Sequence, residues 1–340
     1  MDVEQSREQS FVAGEETAVR AQLESYLADV ISAMTVVSSS GIDANFEEGE
    51  VADKAFSILT NRKFCYLSKK RVDCYRENVV SSLRKRARSG GAFRFFYDIG
   101  PGYHATTRPG LLPLSFDVGL SELLILFQIK SLSDRIEEIY RPGVHFWLVV
   151  DNICGLRTND IPLEESGKYV ARLRDLIEQL GMSSTVSLIV ESEMFSLDEY
   201  DSLLEATSPS SLDQQLSEES VDNVARFLGR PCTRSEALRR IERYRCTSQV
   251  TDALVDRLVR DVHMTQRATG ATLGFRPFPG GDQRTQAGEL VLVHGAKGRL
   301  RPQLITSRNV DAYSLVEMAF PNTLPKVIRH VTYGKIREPG

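Results

Sequence analysis

VHFWLVV, residues 144–150, is an almost unbroken apolar run that ends on Asp151-Asn152. A strand with one wet face alternates apolar and polar residues. A strand covered on both faces does not, and parallel sheets are made of such strands. The run therefore predicts a central parallel strand with polar side chains at its C-terminal end. On its N-terminal side, Val118–Tyr140 carries Leu120, Leu123, Leu124, Phe127, Ile136 and Ile139 at helical spacing, and Arg141-Pro142-Gly143 makes the turn into the strand. Further upstream, AFRFFYDI (92–99) reads as an aromatic-rich strand. Downstream, Glu164–Leu180 reads as a helix stopped by Gly181, and Thr185–Glu191 as a third strand. Strand and helix thus alternate in a βαβαβ order. The expected class is α/β, with a Rossmann-like, mostly parallel sheet and flanking helices.

Outside this core the pattern changes. Residues 1–16 are polar and acidic, which predicts a disordered N-terminus and no signal peptide. Residues 17–91 read as a helical segment: Thr17–Val37, Glu47–Leu59 and Arg71–Arg88, the last ending on a basic turn that complements the helix dipole. The core spans 92–195. Residues 196–265 read as a charged helical insertion or lobe with a Ser/Pro/Asp-rich break at 208–214. Residues 266–340 supply C-terminal strands (290–293, 303–306 and 326–333) that complete the core.

Composition narrows the function classes. The 340 residues are 41% hydrophobic and 26% charged, and the formal net charge is −4, without the basic excess of a nucleic-acid binder. Apolar runs are too short to cross a bilayer. The five cysteines lack C-x-x-C spacing, and reduced thiols in a cytoplasmic protein are the simplest account. No nucleic acid and no membrane is expected as a partner, and no metal pattern occurs.

Candidate site residues cluster at predicted strand ends, where open parallel sheets bind ligands. After the first strand, Asp98-Ile99-Gly100-Pro101-Gly102 has the glycines of an S-adenosylmethionine methyltransferase motif. His104 occupies the third glycine position, however, and a Pro-containing loop replaces the required helix. In that loop Tyr103, His104, Thr106, Thr107 and Arg108 could hold a phosphate or carboxylate, or could simply be solvated. Asp151 and Asn152 end the VHFWLVV strand, either lining the crevice or serving as a turn. Asn159-Asp160 follow closely. His294 ends LVLVHG. His145 lies within a strand and is expected to pack. His263 is placed at a helix end, where an imidazolium is well accommodated. Arg276, Arg284, Arg299, Arg301 and Arg308 lie towards the C-terminus, several in Gly/Pro loops suited to bidentate anion contacts.

The block Leu112–Asn152 resembles the isocyanide synthases, the pyoverdine/dityrosine biosynthesis group. The matching elements are Leu114 with Asp117, Glu122–Leu126, Tyr140-Arg141-Pro142-Gly143 and Val144–Asp151. Asn159-Asp160, Tyr169 and LVLVHG with His294 follow in the family's order. The chain departs from that pattern in the 103–108 stretch, which has no lysine, and in Ser115-Phe116, which replaces a proline. It also lacks the family's late tryptophan-histidine element, Trp147 being its only tryptophan. The resemblance implies an enzyme of specialised metabolism that condenses the amine of an amino acid with a pentulose phosphate, ribulose 5-phosphate, to give an isocyanide, with no metal or redox cofactor. Imine formation, proton transfers and carbon–carbon cleavage require acid/base groups that titrate near neutrality. On that reading His104, Asp151 and His294 are the catalytic candidates, and Tyr103, Arg108, Asn152, Asp160 and Arg276 bind substrate. Two alternatives stand beside it: another small-molecule enzyme on a Rossmann-like sheet, such as a methyltransferase, and a non-catalytic metabolite-binding relative.

Overall fold

In the computed structural model of the chain, the described residues are 13–35, 47–100, 118–159, 161–207, 217–228, 231–258, 261–265, 272–278, 289–294, 299–305 and 309–337. The alternating core forms as its pattern predicts. β1 (Phe93–Ile99), α4 (Leu120–Glu137), β2 (Val144–Val150), α6 (Leu163–Gln179) and β3 (Val186–Val190) follow in order, preceded by α1 (Ala13–Thr35), α2 (Glu48–Leu59) and α3 (Lys69–Arg88). A short helix, α5 (Asn152–Asn159), begins directly after β2. The 196–265 region folds as α8 (Leu197–Ala206), α9 (Glu218–Leu228) and α10 (Arg234–Leu258), with α7 (Glu191–Met194) a single turn after β3. Two-residue strands β4 (Met264–Thr265) and β5 (Leu273–Gly274) complete a five-stranded sheet, all parallel, in the order β3-β2-β1-β4-β5.

The remaining strands make a second sheet. β6 (Glu289–His294), β7 (Leu300–Ile305), β8 (Tyr313–Ala319) and β9 (His330–Ile336) are ordered β7-β6-β9-β8, with β6 and β9 parallel and the outer pairs antiparallel. One hydrophobic core serves both sheets. Phe93, Phe95 and Phe146 of the parallel sheet belong to the same buried cluster as Leu290, Leu292 and Tyr333 of the second. Between them runs α4, which packs on β2 and on β6. That position explains why α4 is buried almost all round, including Leu123, Leu126, Ile129, Leu132 and Ile136. α1 lays Val19, Leu23, Leu27, Val30 and Met34 on the core at the spacing its sequence predicts.

Close packing also shapes β5. A Cβ at Gly274 would stand 2.0 Å from Cε1 of Tyr66, whose own N–H bonds to the Gly274 carbonyl. Glycine lets the ring lie flat on the strand.

His263 differs from its sequence reading. α10 ends at Leu258, and His263 leads into β4, fully buried, rather than capping a helix in solvent. Its Nδ1 accepts the Arg94 N–H at 3.1 Å, and its own N–H bonds to the Arg94 carbonyl at 2.8 Å. Burial pushes the imidazole down to about 4, against the opposing pull of the Arg94 and Ser82 backbone, so it is a neutral acceptor that aligns β4 with β1. His145, by contrast, lies in β2 as expected, edge-on to Trp147.

Candidate functional site at the C-terminal rim of the parallel sheet

The strand order reverses at β1. β2 and β3 lie on one side of it, and β4 and β5 on the other. The C-terminal ends of β1 and β4 therefore flank a switch point, the place where connections leave in opposite directions and open a crevice. Register sets what the rim displays. Ile99, Val150 and Val190 lie in one row, so Asp151 and Glu191 leave β2 and β3 at the same level, with Asp98 two residues below it on β1. Arg276 follows β5 on the far side of the switch point.

Asp151 is half-buried, and its carbonyl accepts the Gly155 N–H, which makes it the N-cap of α5. An N-cap carboxylate ordinarily takes the second or third helical N–H itself. Here those donors go elsewhere. The Ile153 and Cys154 N–H groups both bond to Glu191 Oε2, each at 3.0 Å. Glu191 is completely buried, and its Oε1 accepts Thr251 Oγ1 of α10 at 2.7 Å. Thr251 meets the Tyr200 hydroxyl of α8 at 3.0 Å, and Tyr200 donates to the Thr247 carbonyl at 3.0 Å. Burial first, then the charge of Asp151, raises the Glu191 carboxyl to about 7, although three hydrogen bonds pull it down. The same burial pushes the Cys154 thiol and the Tyr200 hydroxyl upward.

Asn152 is nearly buried. Its Nδ2 donates to Ser192 Oγ at 2.7 Å, and its Oδ1 accepts the Ser192 N–H at 3.1 Å. It stitches the end of β2 to the end of β3. Arg157 of α5 clamps Asp201 of α8 with two nitrogens, and Arg240 of α10 donates to the Thr158 carbonyl at 3.2 Å. The helical lobe is thereby bolted to the rim.

A second buried carboxylate stands at the N-terminus of α4. Glu122, on the first turn of α4, takes the Gly119 N–H on Oε2 at 2.7 Å, the reciprocal half of a capping box. Its Oε1 accepts the Tyr169 hydroxyl at 3.1 Å. Burial raises the Tyr97 hydroxyl, and the charges of Asp98 and Glu122 add to that rise. Tyr97 packs edge-on to Phe275, the neighbour of Arg276. Arg276 itself bonds through its N–H to the Phe64 carbonyl at 2.7 Å, and its charge acts on the buried Cys65 thiol. Tyr97, Asp98 and Glu122 thus interact beside the end of β1, and Arg276 stands after β5.

Other expected site residues have different settings. His294 lies in the second sheet, where Nε2 meets Gln22 Oε1 at 2.7 Å and Nδ1 meets the Tyr333 hydroxyl at 2.7 Å. Tyr103, His104, Arg108 and Asp160 lie outside the described residues, as does the whole stretch 101–117. Among the described residues, no group of three His, Cys, Asp or Glu side chains is arranged to hold a metal ion, and no helix is long and apolar enough to cross a membrane. The five cysteines are all unbridged.

Glu191, Glu122 and the Thr251–Tyr200 pair were not singled out from sequence. Two carried a signal: Glu122 opens one of the segments that carry the resemblance, and VSLIV-Glu191 repeats the apolar-strand-then-acid pattern of VHFWLVV-Asp151.

No protein-family model and no curated protein sequence matches the chain. Among solved structures, the PvcA protein from Pseudomonas aeruginosa is similar, with a TM-score of 0.59 and 16% identity over 83% of this chain and 99% of PvcA. Tyrosyl-tRNA synthetase from Aeropyrum pernix overlaps 63% of the chain and 52% of its own length at 10% identity and a TM-score of 0.32. A tryptophanyl-tRNA synthetase homolog from Entamoeba histolytica overlaps 66% and 56% at 8% identity and 0.31. The two synthetase likenesses are too slight to bear on the fold. The first is a likeness of fold along nearly the whole of PvcA, and it agrees with the α/β, Rossmann-like class read from residues 92–191.

Proposed function

We propose that the chain is an isonitrile-synthase-like enzyme whose site is the C-terminal rim of the parallel sheet, around the β1/β4 switch point. The observation that carries the reading is a coincidence of two independent resemblances. The block Leu112–Asn152, which resembles the isocyanide synthases in sequence, spans α4 and β2 and ends on the rim, and the fold as a whole is similar to that of PvcA.

The reaction would join the amine of an amino acid to the carbonyl of a pentulose phosphate as an imine, with loss of water, and then cleave both carbon–carbon bonds of the former carbonyl carbon, which stays on nitrogen as the isocyanide while the other four carbons and the phosphate leave. In this scheme Asp151 and His104 move protons, with Arg108 and Arg276 holding phosphate or carboxylate and Tyr103 and Asp160 completing the pocket. Asn152 has both amide atoms on Ser192, so its part is to hold the wall of the site. His294 is hydrogen-bonded at both ring nitrogens, so a catalytic role for it requires that the Gln22 or the Tyr333 contact be given up.

The deciding experiment incubates the purified protein with tyrosine or tryptophan and uniformly 13C-labelled ribulose 5-phosphate. The expected product is an isonitrile carrying one labelled carbon by mass spectrometry, lost in Asp151→Asn. If no amino acid yields such a product, the reading fails. Calorimetric binding of S-adenosylmethionine would point instead to a methyltransferase.

A further inference from the structure

Three oxygen–oxygen contacts join Glu191 to the helical lobe: Glu191 Oε1 to Thr251 Oγ1 at 2.7 Å, Thr251 Oγ1 to Tyr200 OH at 3.0 Å, and Tyr200 OH to the Thr247 carbonyl at 3.0 Å. The two hydroxyls bring two protons, and the neutral Cys154 thiol, which also reaches Thr251, fills that contact with its own. If Glu191 is ionised, Thr251 must donate to it. Tyr200 then has one proton for two acceptors, and one contact is left without its own hydrogen. If Glu191 is a carboxylic acid, the count closes: Glu191 donates to Thr251, Thr251 to Tyr200, and Tyr200 to the carbonyl. A buried oxygen pair lacking a proton is costly, which favours the closed chain.

We propose that Glu191 is a positioning residue that keeps its own proton: as a carboxylic acid it locks α8 and α10 onto the first turn of α5, and so fixes Asp151 at the rim, and on ionisation that lock loosens. The inference does not depend on which reaction the rim serves.

The surroundings of Glu191 agree with it. Asp151, at the end of β2, opposes a second negative charge beside it, and α5 and α8 present the neutral Cys154 thiol and Tyr200 hydroxyl. α10 presents the Thr251 hydroxyl. Two cations on these helices are committed elsewhere, Arg157 to Asp201 and Arg240 to the Thr158 carbonyl. The two α5 N–H groups favour ionisation, but burial outweighs them and the group stands at about 7.

Hydrogen exchange of the full chain, read as protection factors so that intrinsic exchange cancels, tests the lock. Between pH 6 and pH 8.5, protection in α5, α8 and α10 should fall about tenfold, because opening releases a carboxyl of ordinary acidity. Glu191→Gln reproduces the acid form: its oxygen takes the α5 N–H groups and its NH2 donates to Thr251. It should hold full protection across that range. A carbon-13 titration of the Glu191 carboxyl in the unaltered protein gives the second readout and does not rely on a variant folding. A midpoint near 7 supports the lock. A midpoint in the ordinary carboxylate range, or protection in the unaltered protein that does not change with pH, overturns it. Because neither measurement uses turnover, failure of the isonitrile assay and failure of the lock are separate results.

Discussion

At each end of the parallel sheet a titratable side chain is completely buried, Glu191 at one and His263 at the other, and the same physics drives the two in opposite directions. At the C-terminal rim, Glu191 is raised to about 7. At the N-terminal edge, His263 is lowered to about 4. Burial penalises charge in both cases. It keeps a proton on the acid and keeps one off the base. The rim group sits among hydroxyls and a second carboxylate and joins four elements. The edge group sits against Phe93 and the Arg94 backbone and joins two strands. One end of the sheet is thus a polar junction, the other a packed seam.

The largest break in this comparison is Glu191→Ala. It leaves two α5 N–H groups without their acceptor and the Thr251 hydroxyl without its Glu191 partner in a buried site, at a cost of about 1–3 kcal/mol for each unsatisfied group, with partial relaxation reducing the sum. A loss of about 3 kcal/mol or more is expected from urea denaturation at pH 7.5. Glu191→Gln should stay within about 1 kcal/mol of the parent, because its amide meets the same partners. Equal losses in the two variants would show that shape, not hydrogen bonding, holds the rim.

Next in size is the pH response. Glu191 binds its proton more tightly folded than unfolded, so its contribution is fully present below its ordinary value of 4.5 and is lost as pH rises through 7. His263 binds its proton less tightly folded than unfolded, so its contribution is present above 6.5 and is lost as pH falls through 4. Each shift corresponds to about 3 kcal/mol at most, at 1.36 kcal/mol per unit. Between pH 4.5 and 6.5 the two slopes oppose and largely cancel. His263→Asn keeps an acceptor for the Arg94 N–H and removes the titration. Relative to the parent, that variant should gain stability as pH falls from 6.5 to 4.5, by about 2 kcal/mol. A difference that stays flat with pH would mean that His263 is not held neutral.

The same contrast separates what could be read in the sequence from what could not. β2 was legible to the residue, because seven near-continuous apolar residues between a Pro-Gly turn and an acid have few other readings. β1, α4, α6 and β3 were legible within a few residues for similar reasons. β4 and β5 were not, because strands of two residues carry no periodicity; their place is set by Met264 pairing with Phe95 and with Leu273. β8, whose burial pattern is mixed, was missed as well. At the rim, Asp151 and Asn152 were found because they end an obvious strand. The work of Glu191 was hidden. Its partners come from α5 and α10, up to 60 positions away, and no local pattern encodes that meeting. His263 was misread for the related reason that burial is a property of the whole fold.

The smallest expected effect sharpens the comparison most directly, because it concerns a carboxylate two residues from Glu191. Glu193 accepts Arg174 Nη2 on both oxygens, at 2.8 and 2.6 Å, in what looks on paper like a strong ion pair. Both side chains, however, are about half exposed, at 48% and 50%. Both bonds also come from a single nitrogen, so the pair lacks the two-pronged guanidinium geometry that fixes Arg157 on Asp201. Water competes for every atom, and salt screens what remains. Arg174→Ala should change stability by less than about 1 kcal/mol, and the difference should shrink further in 1 M salt. Because the two glutamates share a helical turn, sequence position cannot account for the gap between Glu193 and Glu191; burial and the number of satisfied hydrogen bonds can. A loss from Arg174→Ala as large as that from Glu191→Ala would contradict that assignment and make the whole turn, rather than its one buried carboxyl, the fastening of the rim.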